Sequence, residues 1–218
     1  MKQHSLSDKN LCVSIANSSF DECVEIVKNN ALVELRLDLL SLSDKEYEYL
    51  LKLNTQYIVT CRYSEDKHPN AIDTLKKVIL LGADYVDIEW HLNTPYFNEI
   101  LKLAKSKNCK VIVSYHNFEA TPSVTEMQNI IDTAKNKGAD YVKIATEVKT
   151  QKDSIKLLSL YEHNDKLIAF GMGELGRISR VSSLYMGADF TYVSIDENNK
   201  TASGQLTTDE MKTIFKLI

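Results

Sequence analysis

Gly138-Ala139-Asp140-Tyr141-Val142-Lys143-Ile144-Ala145 joins a glycine that ends a helix to a short, β-branched and apolar strand. The same pattern returns in Gly82-Ala83-Asp84-Tyr85-Val86-Asp87 and in Gly187-Ala188-Asp189-Phe190-Thr191-Tyr192. Glycine suits this point because it readily adopts the positive φ with which many helices end. Three copies of a helix end followed directly by a strand predict a chain in which helices and strands alternate.

Hydrophobic periodicity along the rest of the chain agrees with this alternation. We predict strands at residues 11–16, 32–38, 57–62, 85–90, 110–115, 141–145, 167–170 and 190–194. We predict helices near residues 19–29, 43–53, 70–81, 95–107, 124–137, 151–161, 177–186 and 207–217. Eight strands, each followed by a helix, predict an α/β protein with the (β/α)8 or TIM-barrel fold, which needs about 200 residues or more. The 218 residues would form one compact barrel domain over 1–218, with few insertions.

The repeated pattern also places three chemically informative side chains. If the copies are equivalent, Asp87, Lys143 and Tyr192 occupy matching positions on alternate strands, which supply the same interior layer of such a barrel. A buried lysine must be paired or give up its charge, and a neutral amine is a nucleophile for carbonyl carbon. Asp87 is then a candidate neighbour of Lys143. In the alternative reading, the recurrence only marks strand entry and the side chains point outward.

Further polar groups end other predicted strands. In residues 33–38, Val-Glu-Leu-Arg-Leu-Asp, alternation places Glu34, Arg36 and Asp38 on one face and the leucines on the other. We expect the charged face to point into the barrel. His116 follows a very apolar run and suits general acid–base catalysis, because histidine titrates near neutrality. A lone histidine is more often structural, but its position on the strand next to Lys143 favours catalysis.

Residues 171–176 read Gly-Met-Gly-Glu-Leu-Gly and match the pattern of a dinucleotide-binding loop. The pattern follows the seventh predicted strand instead of the first, and Arg177 and Arg180 come directly after it. Loops after strands seven and eight of a barrel commonly bind anions at a helix N-terminus. We therefore favour a carboxylate bound by Arg180 and backbone N–H groups. Asp196 lies at a suitable distance for a nucleotide, so a nucleotide-binding barrel without catalysis is the alternative.

Composition narrows the class of protein further. The net charge of −4 gives no indication of nucleic-acid binding or of an anionic membrane surface. Residues 1–10 lack the apolar run of a signal peptide, and no apolar stretch approaches the length of a membrane span. The four cysteines are far apart and no metal-ligand spacing occurs. We expect a reduced, cytoplasmic protein. The four arginines lie near predicted strand ends, which favours an anionic substrate over four ordinary salt bridges.

In their order along the chain, these motifs resemble type I 3-dehydroquinate dehydratase, the cofactor-free Schiff-base enzyme of the shikimate pathway. The resemblance covers nearly the whole chain. It rests on residues 34–38 (Glu-Leu-Arg-Leu-Asp), 60–62 (Thr-Cys-Arg), 87–89 (Asp-Ile-Glu), 114–118 (Ser-Tyr-His-Asn-Phe), 142–145 (Val-Lys-Ile-Ala), 176–180 (Gly-Arg-Ile-Ser-Arg) and 204–205 (Gly-Gln).

The resemblance implies a role for each matching residue. Lys143 would form an imine with the C3 carbonyl of 3-dehydroquinate, and His116 would move the protons of a syn elimination. Arg180 would bind the substrate carboxylate. The remaining substrate contacts that it implies are Ser14, Glu34, Arg36, Arg62, Met172, Thr201 and Gln205. No cofactor or metal would be needed, and the family expectation is a homodimer.

The chain departs from the family pattern in two loops. Four residues after Arg62 the family usually has a glutamate that assists the catalytic histidine. Here Asp66 matches it by position and Glu65 by chemistry, and both remain candidates. Thr201 replaces a common serine and Ser203 a common proline, so we expect weaker or slower substrate closure. Another Schiff-base lyase, such as a class I aldolase with the same barrel, is the nearest alternative activity.

Overall fold

Eight parallel strands alternate with eight α-helices along residues 7–218, the part of the chain that the computed structural model describes. The strands are β1 (Leu11–Ile15), β2 (Leu32–Arg36), β3 (Gln56–Thr60), β4 (Tyr85–Glu89), β5 (Lys110–Asn117), β6 (Tyr141–Glu147), β7 (Leu167–Met172) and β8 (Thr191–Val193). The helices are α1 (Phe20–Asn29), α2 (Asp44–Leu50), α3 (Ala71–Leu80), α4 (Thr94–Ser106), α5 (Val124–Asn136), α6 (Gln151–Ser159), α7 (Arg177–Met186) and α8 (Thr208–Leu217). The predicted TIM-barrel fold is therefore confirmed.

The hydrogen-bonded sheet runs from β7 through β6 to β1 and then to β8. Within residues 7–218 no ladder joins β7 to β8, so the hydrogen-bonded ring is open at that one position. β8 has only three residues, and their ladder partners lie on β1. Side chains connect the two strands instead, since the Phe170 and Tyr192 rings lie 6.1 Å apart.

Strand alternation divides the core into two parts, as predicted. Outward-facing leucines and valines of the strands pack against the helices in one large cluster. The interior of the barrel holds a second cluster, made of Cys12, Leu32, Ile58, Tyr85, Ile112, Tyr141, Ala145, Ile168, Phe170, Phe190 and Tyr192. Above this apolar layer, towards the carboxyl ends of the strands, the inward-facing residues become polar. The barrel interior is thus filled by apolar side chains at one end and lined by charged side chains at the other.

The Gly-Ala-Asp repeat has a structural cause. Gly82, Gly138 and Gly187 have φ of +102°, +100° and +115°, the left-handed region in which glycine ends a helix without strain. Asp84 accepts a hydrogen bond from the backbone N–H of Tyr57, at the start of the neighbouring strand. Asp140 does the same for Val111 of β5. Each of these two carboxylates therefore ties the start of one strand to the next.

The structure differs from the predicted boundaries mainly at the carboxyl ends of three strands. β5, β6 and β7 continue to Asn117, Glu147 and Met172, each two residues beyond the predicted end. Ladder partners such as Asn117 with Thr146 and Glu147 with Met172 hold these extensions. Polar side chains hid the extensions of β5 and β6, and Gly171 hid that of β7, because hydrophobic periodicity does not register such residues.

No helix within residues 7–218 is long and apolar enough to cross a membrane. The polar N-terminal segment in which no signal peptide is predicted, residues 1–10, lies for the most part outside the described residues.

Candidate active site

The carboxyl ends of the strands surround a cavity of about 210 Å³. Its walls include every substrate-binding and catalytic residue predicted from the sequence, apart from the two candidate helper acids. The lining residues are Ser14, Glu34, Arg36, Leu39, Thr60, Arg62, His116, Phe118, Lys143, Ala145, Glu147, Phe170, Met172, Arg180, Tyr192, Thr201, Ala202, Ser203 and Gln205.

Lys143 lies at the floor of this cavity, on the inward face of β6. Its side chain is 8% exposed, and its Nζ lies 3.3 Å from Oδ2 of Asp87 and 4.0 Å from Oε1 of Glu34. The ring centroid of Tyr192 lies 4.0 Å from the same nitrogen. Of the two states predicted for a buried lysine, the structure therefore shows pairing. It also shows that Asp87, Lys143 and Tyr192 all point inward, so the outward-facing alternative was wrong.

Glu34 is fixed by two hydroxyl donors from neighbouring strands. Ser14 Oγ donates to Oε2 and Thr60 Oγ1 donates to Oε1, each at 2.8 Å. Burial acts to raise the pKa of Glu34, but the Lys143 ammonium, Arg36 and the two hydroxyls outweigh it and lower the pKa. Glu34 is therefore a carboxylate whose oxygens are already engaged before any ligand binds.

Asp87 is the nearer acid, and its side chain is 1% exposed. Ser114 Oγ donates to Oδ1 at 2.5 Å, which leaves Oδ2 facing the Lys143 amine. Ser114 and His116 lie two residues apart on β5 and share its inward face. The backbone of β5 thus aligns the Asp87 contact and the histidine along one wall.

His116 is held among cations. Burial is the largest cause that lowers its pKa well below 6.5, and the positive charges of Lys143 and Arg62 act in the same direction. The imidazole is therefore neutral near pH 7 and able to accept a proton. The Phe118 ring stacks on it, with centroids 6.1 Å apart and planes 9° from parallel.

The arginines of the cavity differ in whether an acidic side chain lies beside them. Arg36 makes a two-pronged contact with Asp38, at 3.0 Å from Nε and 2.7 Å from Nη2. Arg62 lies 3.6 Å from Glu89, and its guanidinium lies 5.9 Å from the Phe118 ring centroid. Both arginines therefore have an acid beside them.

Arg180 has none within residues 7–218. The residue is 1% exposed, its Nε and Nη2 are buried without a hydrogen-bond partner, and its guanidinium lies 4.3 Å from the Phe170 ring centroid. Burial without a counter-ion lowers the pKa of Arg180 to about 10, so the group is still a cation at neutral pH. A buried, unpaired guanidinium facing a cavity is a site for an anion, and a carboxylate matches its geometry.

The glycine-rich segment 171–176 is engaged in backbone packing. A Cβ on Gly171 would lie 2.8 Å from Cα of Gly176, so these two glycines allow β7 and the start of α7 to meet. Ser179 Oγ accepts the Gly171 N–H and donates to the Gly176 carbonyl. The Gly173 N–H donates to the Ser203 carbonyl at 3.2 Å. The N–H groups of Gly171 and Gly173 are therefore engaged within the protein and are not available to a dinucleotide phosphate.

The loop after β8 closes one side of the cavity. Gly204, with φ +71°, packs directly against the Gly173 backbone, where a Cβ would clash. Gln205 is 1% exposed, and its Oε1 accepts hydrogen bonds from the backbone N–H and the hydroxyl of Thr201. The Gln205 amide group is thereby oriented with its NH₂ left as a donor.

Neither candidate helper acid is in the cavity. Glu65 and Asp66 lie exposed in the loop after β3, and within residues 7–218 neither hydrogen-bonds to His116. An isolated bridge between Ser64 and His68 shapes this loop. The position of a loop depends on such non-local contacts, which the sequence motif does not reveal.

Phe170 and Glu147 are among the lining residues that were not predicted from the sequence. Phe170 supports Arg180, and Glu147 lies at the cavity rim beside Gly173. Alternation from Lys143 through Ala145 would have reached Glu147 if the predicted strand had been two residues longer. No group of three or more histidine, cysteine or acidic side chains that could hold a metal ion occurs in residues 7–218.

Three comparisons relate the chain to known proteins. The family model described as Type I 3-dehydroquinase matches residues 11–218. A 3-dehydroquinate dehydratase of Pyrococcus abyssi is 36% identical over 214 residues, which cover 94% of this chain and 96% of that protein. The crystal structure of the 3-dehydroquinate dehydratase of Aquifex aeolicus superimposes with a TM-score of 0.80 at 26% identity, covering 95% of this chain and 98% of that one. The type I enzyme of Clostridium difficile shares the fold with a TM-score of 0.82 at 22% identity, covering 98% and 93%.

Proposed function

The chain belongs to the type I 3-dehydroquinase family of hydro-lyases in the shikimate pathway, and from this membership we propose that it dehydrates 3-dehydroquinate through an imine on Lys143. One observation carries the proposal. A single cavity combines a buried lysine amine, a histidine that is neutral near pH 7 and a buried arginine without an acid partner. These are the groups that an imine, a proton transfer and a substrate carboxylate require.

The proposed chemistry begins when the Lys143 amine attacks the C3 carbonyl carbon and water is lost to give a protonated imine. This cation withdraws electrons and acidifies the adjacent C2 proton, so that an imidazole can remove it. The lowered pKa of His116 supports its role as that base. The C1 hydroxyl then leaves with the proton that His116 took, and hydrolysis of the imine releases 3-dehydroshikimate.

Substrate binding is proposed to centre on Arg180, whose unpaired guanidinium gains a counter-ion from the substrate carboxylate. Ser14 hydrogen-bonds Glu34 and Thr201 hydrogen-bonds Gln205, so both hydroxyls are proposed to orient those residues in addition to contacting the substrate. The full set of proposed substrate contacts besides Arg180 is Ser14, Glu34, Arg36, Arg62, Met172, Thr201 and Gln205.

Two further proposals concern organisation. We propose that residues 1–218 form one catalytic domain and that two copies associate as a homodimer, as the family resemblance implies. We also propose that Glu65 or Asp66 assists His116. This role requires the loop after β3 to move towards the cavity, since both side chains lie exposed outside it.

Borohydride reduction in the presence of 3-dehydroquinate tests the central proposal. We expect peptide mapping to find a reduced ligand adduct on Lys143, and unreduced enzyme to release an enone with the carbon count of the substrate and one water fewer. Two shorter carbon fragments would instead indicate an aldolase. Folded protein that forms neither adduct nor product would overturn the proposed function.

A further inference from the structure

We propose that Asp87 is a catalytic residue that accepts the proton of Lys143 before the amine attacks. The inference rests on the proposed imine at Lys143 and extends it. An ammonium has no lone pair, so the amine must lose a proton before it becomes a nucleophile. Asp87 Oδ2 lies 3.3 Å from Nζ, close to hydrogen-bonding distance.

Glu34 is the other acid near the amine, and its contacts make it a poor acceptor. It lies farther away, at 4.0 Å, and each of its oxygens already receives a hydroxyl hydrogen bond. Asp87 receives only the Ser114 hydroxyl, on Oδ1. Its second oxygen faces Lys143, and no further donor within residues 7–218 occupies it. Proton transfer to Oδ2 therefore displaces no other hydrogen bond.

An aromatic ring also lies against the amine. The Tyr192 ring centroid lies 4.0 Å from Nζ, and Tyr192 is 3% exposed. A ring face attracts a cation but cannot take up a proton. Because the Lys143 side chain is itself only 8% exposed, the buried groups that surround it are the acceptors closest to its proton. Asp87 is the nearest of these.

The proposed steps balance in atoms and charge. The Lys143 ammonium transfers a proton to the Asp87 carboxylate, giving an amine and a carboxylic acid. The nitrogen lone pair forms the bond to the carbonyl carbon, the π pair moves to oxygen, and a second nitrogen proton passes to that oxygen to give a carbinolamine. The carbinolamine hydroxyl then leaves as water with the proton stored on Asp87. A cationic imine and a carboxylate remain.

One consequence explains why a paired lysine suits this reaction. The site holds one positive charge beside Asp87 and the Tyr192 ring before the reaction, and it holds one again in the imine. The groups that stabilise the ammonium also stabilise the cation that withdraws electrons from the substrate. Asp87 thus serves both the formation of the imine and its persistence.

Rapid-quench borohydride trapping between pH 6 and pH 9 tests the inference with Asp87→Asn. We expect imine formation at pH 7 to slow by about 100-fold, the scale of a lost general base. The rate should then rise by about tenfold per pH unit, because solvent hydroxide must remove the proton. Asp87→Glu restores a carboxylate and should recover part of the rate and the wild-type pH dependence. An Asp87→Asn rate and pH dependence equal to those of the wild type would overturn the inference.

Asp140→Asn is the matched control, because Asp140 is also a carboxylate bonded to a neighbouring strand but lies at the opposite end of the barrel. We expect its trapping rate to stay within twofold of the wild type, about the scatter of neutral substitutions. If Asp87→Asn does not fold, Ser114→Ala replaces it. Loss of that hydroxyl donor removes a hydrogen bond that favours the Asp87 carboxylate, so the acid limb of imine formation should move to higher pH, and an unmoved limb would contradict the inference.

Wild-type trapping distinguishes a failure of the proposed function from a failure of the role of Asp87. A wild-type protein that traps no adduct and makes no product refutes the imine on Lys143 itself. A wild type that traps the adduct, together with an Asp87→Asn variant that traps it equally fast, refutes only the role of Asp87.

Discussion

The two sides of the cavity treat a buried cation in opposite ways. On the β6 side, Lys143 is flanked by Asp87 and Glu34. On the β7 side, Arg180 rests on the Phe170 ring without an acid partner in the described chain. Removing an ion from water costs several kcal/mol unless other charges compensate. The lysine side therefore has its counter-charges within the protein, whereas the arginine side would gain one only from an anionic ligand.

The difference indicates a division of tasks. A nucleophile benefits from fixed partners that set its position and take its proton, so preorganised acids belong beside Lys143. A binding group benefits from having no internal competitor, because an anionic ligand then gains the full interaction. If the division is correct, substitutions on the lysine side should mainly lower kcat, and those on the arginine side should mainly affect affinity.

Lys143→Ala tests the lysine side at its centre and should have the largest effect. We expect turnover to fall by more than about 10⁴-fold and the borohydride adduct to disappear, because the nucleophile is absent. Substrate should still raise the melting temperature through Arg180. Lys166→Ala is the matched control, since Lys166 also contacts an acid and an aromatic ring, Asp189 and Tyr141, outside the cavity. Appreciable turnover by Lys143→Ala would refute the imine.

His116→Ala tests whether chemistry and binding separate on the lysine side. We expect elimination to slow by at least about 100-fold while some imine still forms, since only proton transfer is removed. Near-normal turnover would remove His116 from the mechanism.

The wild-type pH profile checks the same group. Because the pKa of His116 lies well below 6.5, kcat/KM should not fall through loss of this base as the pH drops through 6.5. The unfolded chain takes up this proton first, so the stability contributed by neutral His116 is present above pH 6.5 and lost as the pH falls towards the folded-state pKa.

Arg180→Met tests the arginine side of the cavity. We expect kcat/KM to fall by about 100-fold, mostly through KM, since charged hydrogen bonds contribute about 1.5–3 kcal/mol. The free protein should melt at a higher temperature, because an unpaired buried cation is replaced by an apolar side chain. Arg177→Met is the control, since Arg177 is partly exposed and pairs with Glu210. A drop in kcat alone, with unchanged KM, would contradict the division between the two sides.

The smallest of these effects is expected in the loop after β3, where the proposal that Glu65 or Asp66 assists His116 predicts a loss of activity in one variant and not in the other. If Glu65 and Asp66 stay exposed as described, Glu65→Gln and Asp66→Asn should each change kcat by less than about threefold, the scale of surface substitutions. A loss above tenfold in one variant, accompanied by a change in the pH profile, would show that the loop brings that acid to His116. Steady-state kinetics across pH separates the two results.

Much of this arrangement is encoded locally. The alternation in residues 33–38 placed Glu34 and Arg36 inside the barrel, and the Gly-Ala-Asp repeat aligned Asp87 with Lys143. Both predictions held because a strand has a period of two and parallel strands end at one edge.

Features that depend on distant parts of the chain were not predictable. Lys143 is paired and Arg180 is not because of the side chains that several strands and α7 bring together in the cavity. The placement of the loop around Glu65 and Asp66, and the polar ends of β5 to β7, depend on contacts far apart in sequence. Local pattern therefore placed the proposed reacting groups in one cavity but did not indicate their electrostatic balance.

Where β7 and β8 lie side by side at the cavity, no backbone ladder within residues 7–218 joins them. The loop after β8 rests on the β7 side mainly through the Gly173–Ser203 hydrogen bond and the Gly204 backbone contact. An outward movement of this loop would break no ladder hydrogen bonds between β7 and β8, because none occurs there within residues 7–218. The edge between β7 and β8 is thus the part of the described barrel that opens with the fewest broken backbone hydrogen bonds. Amide hydrogens on either side of that edge should exchange with solvent before those of β4 to β6, and a bound carboxylate on Arg180 should slow them.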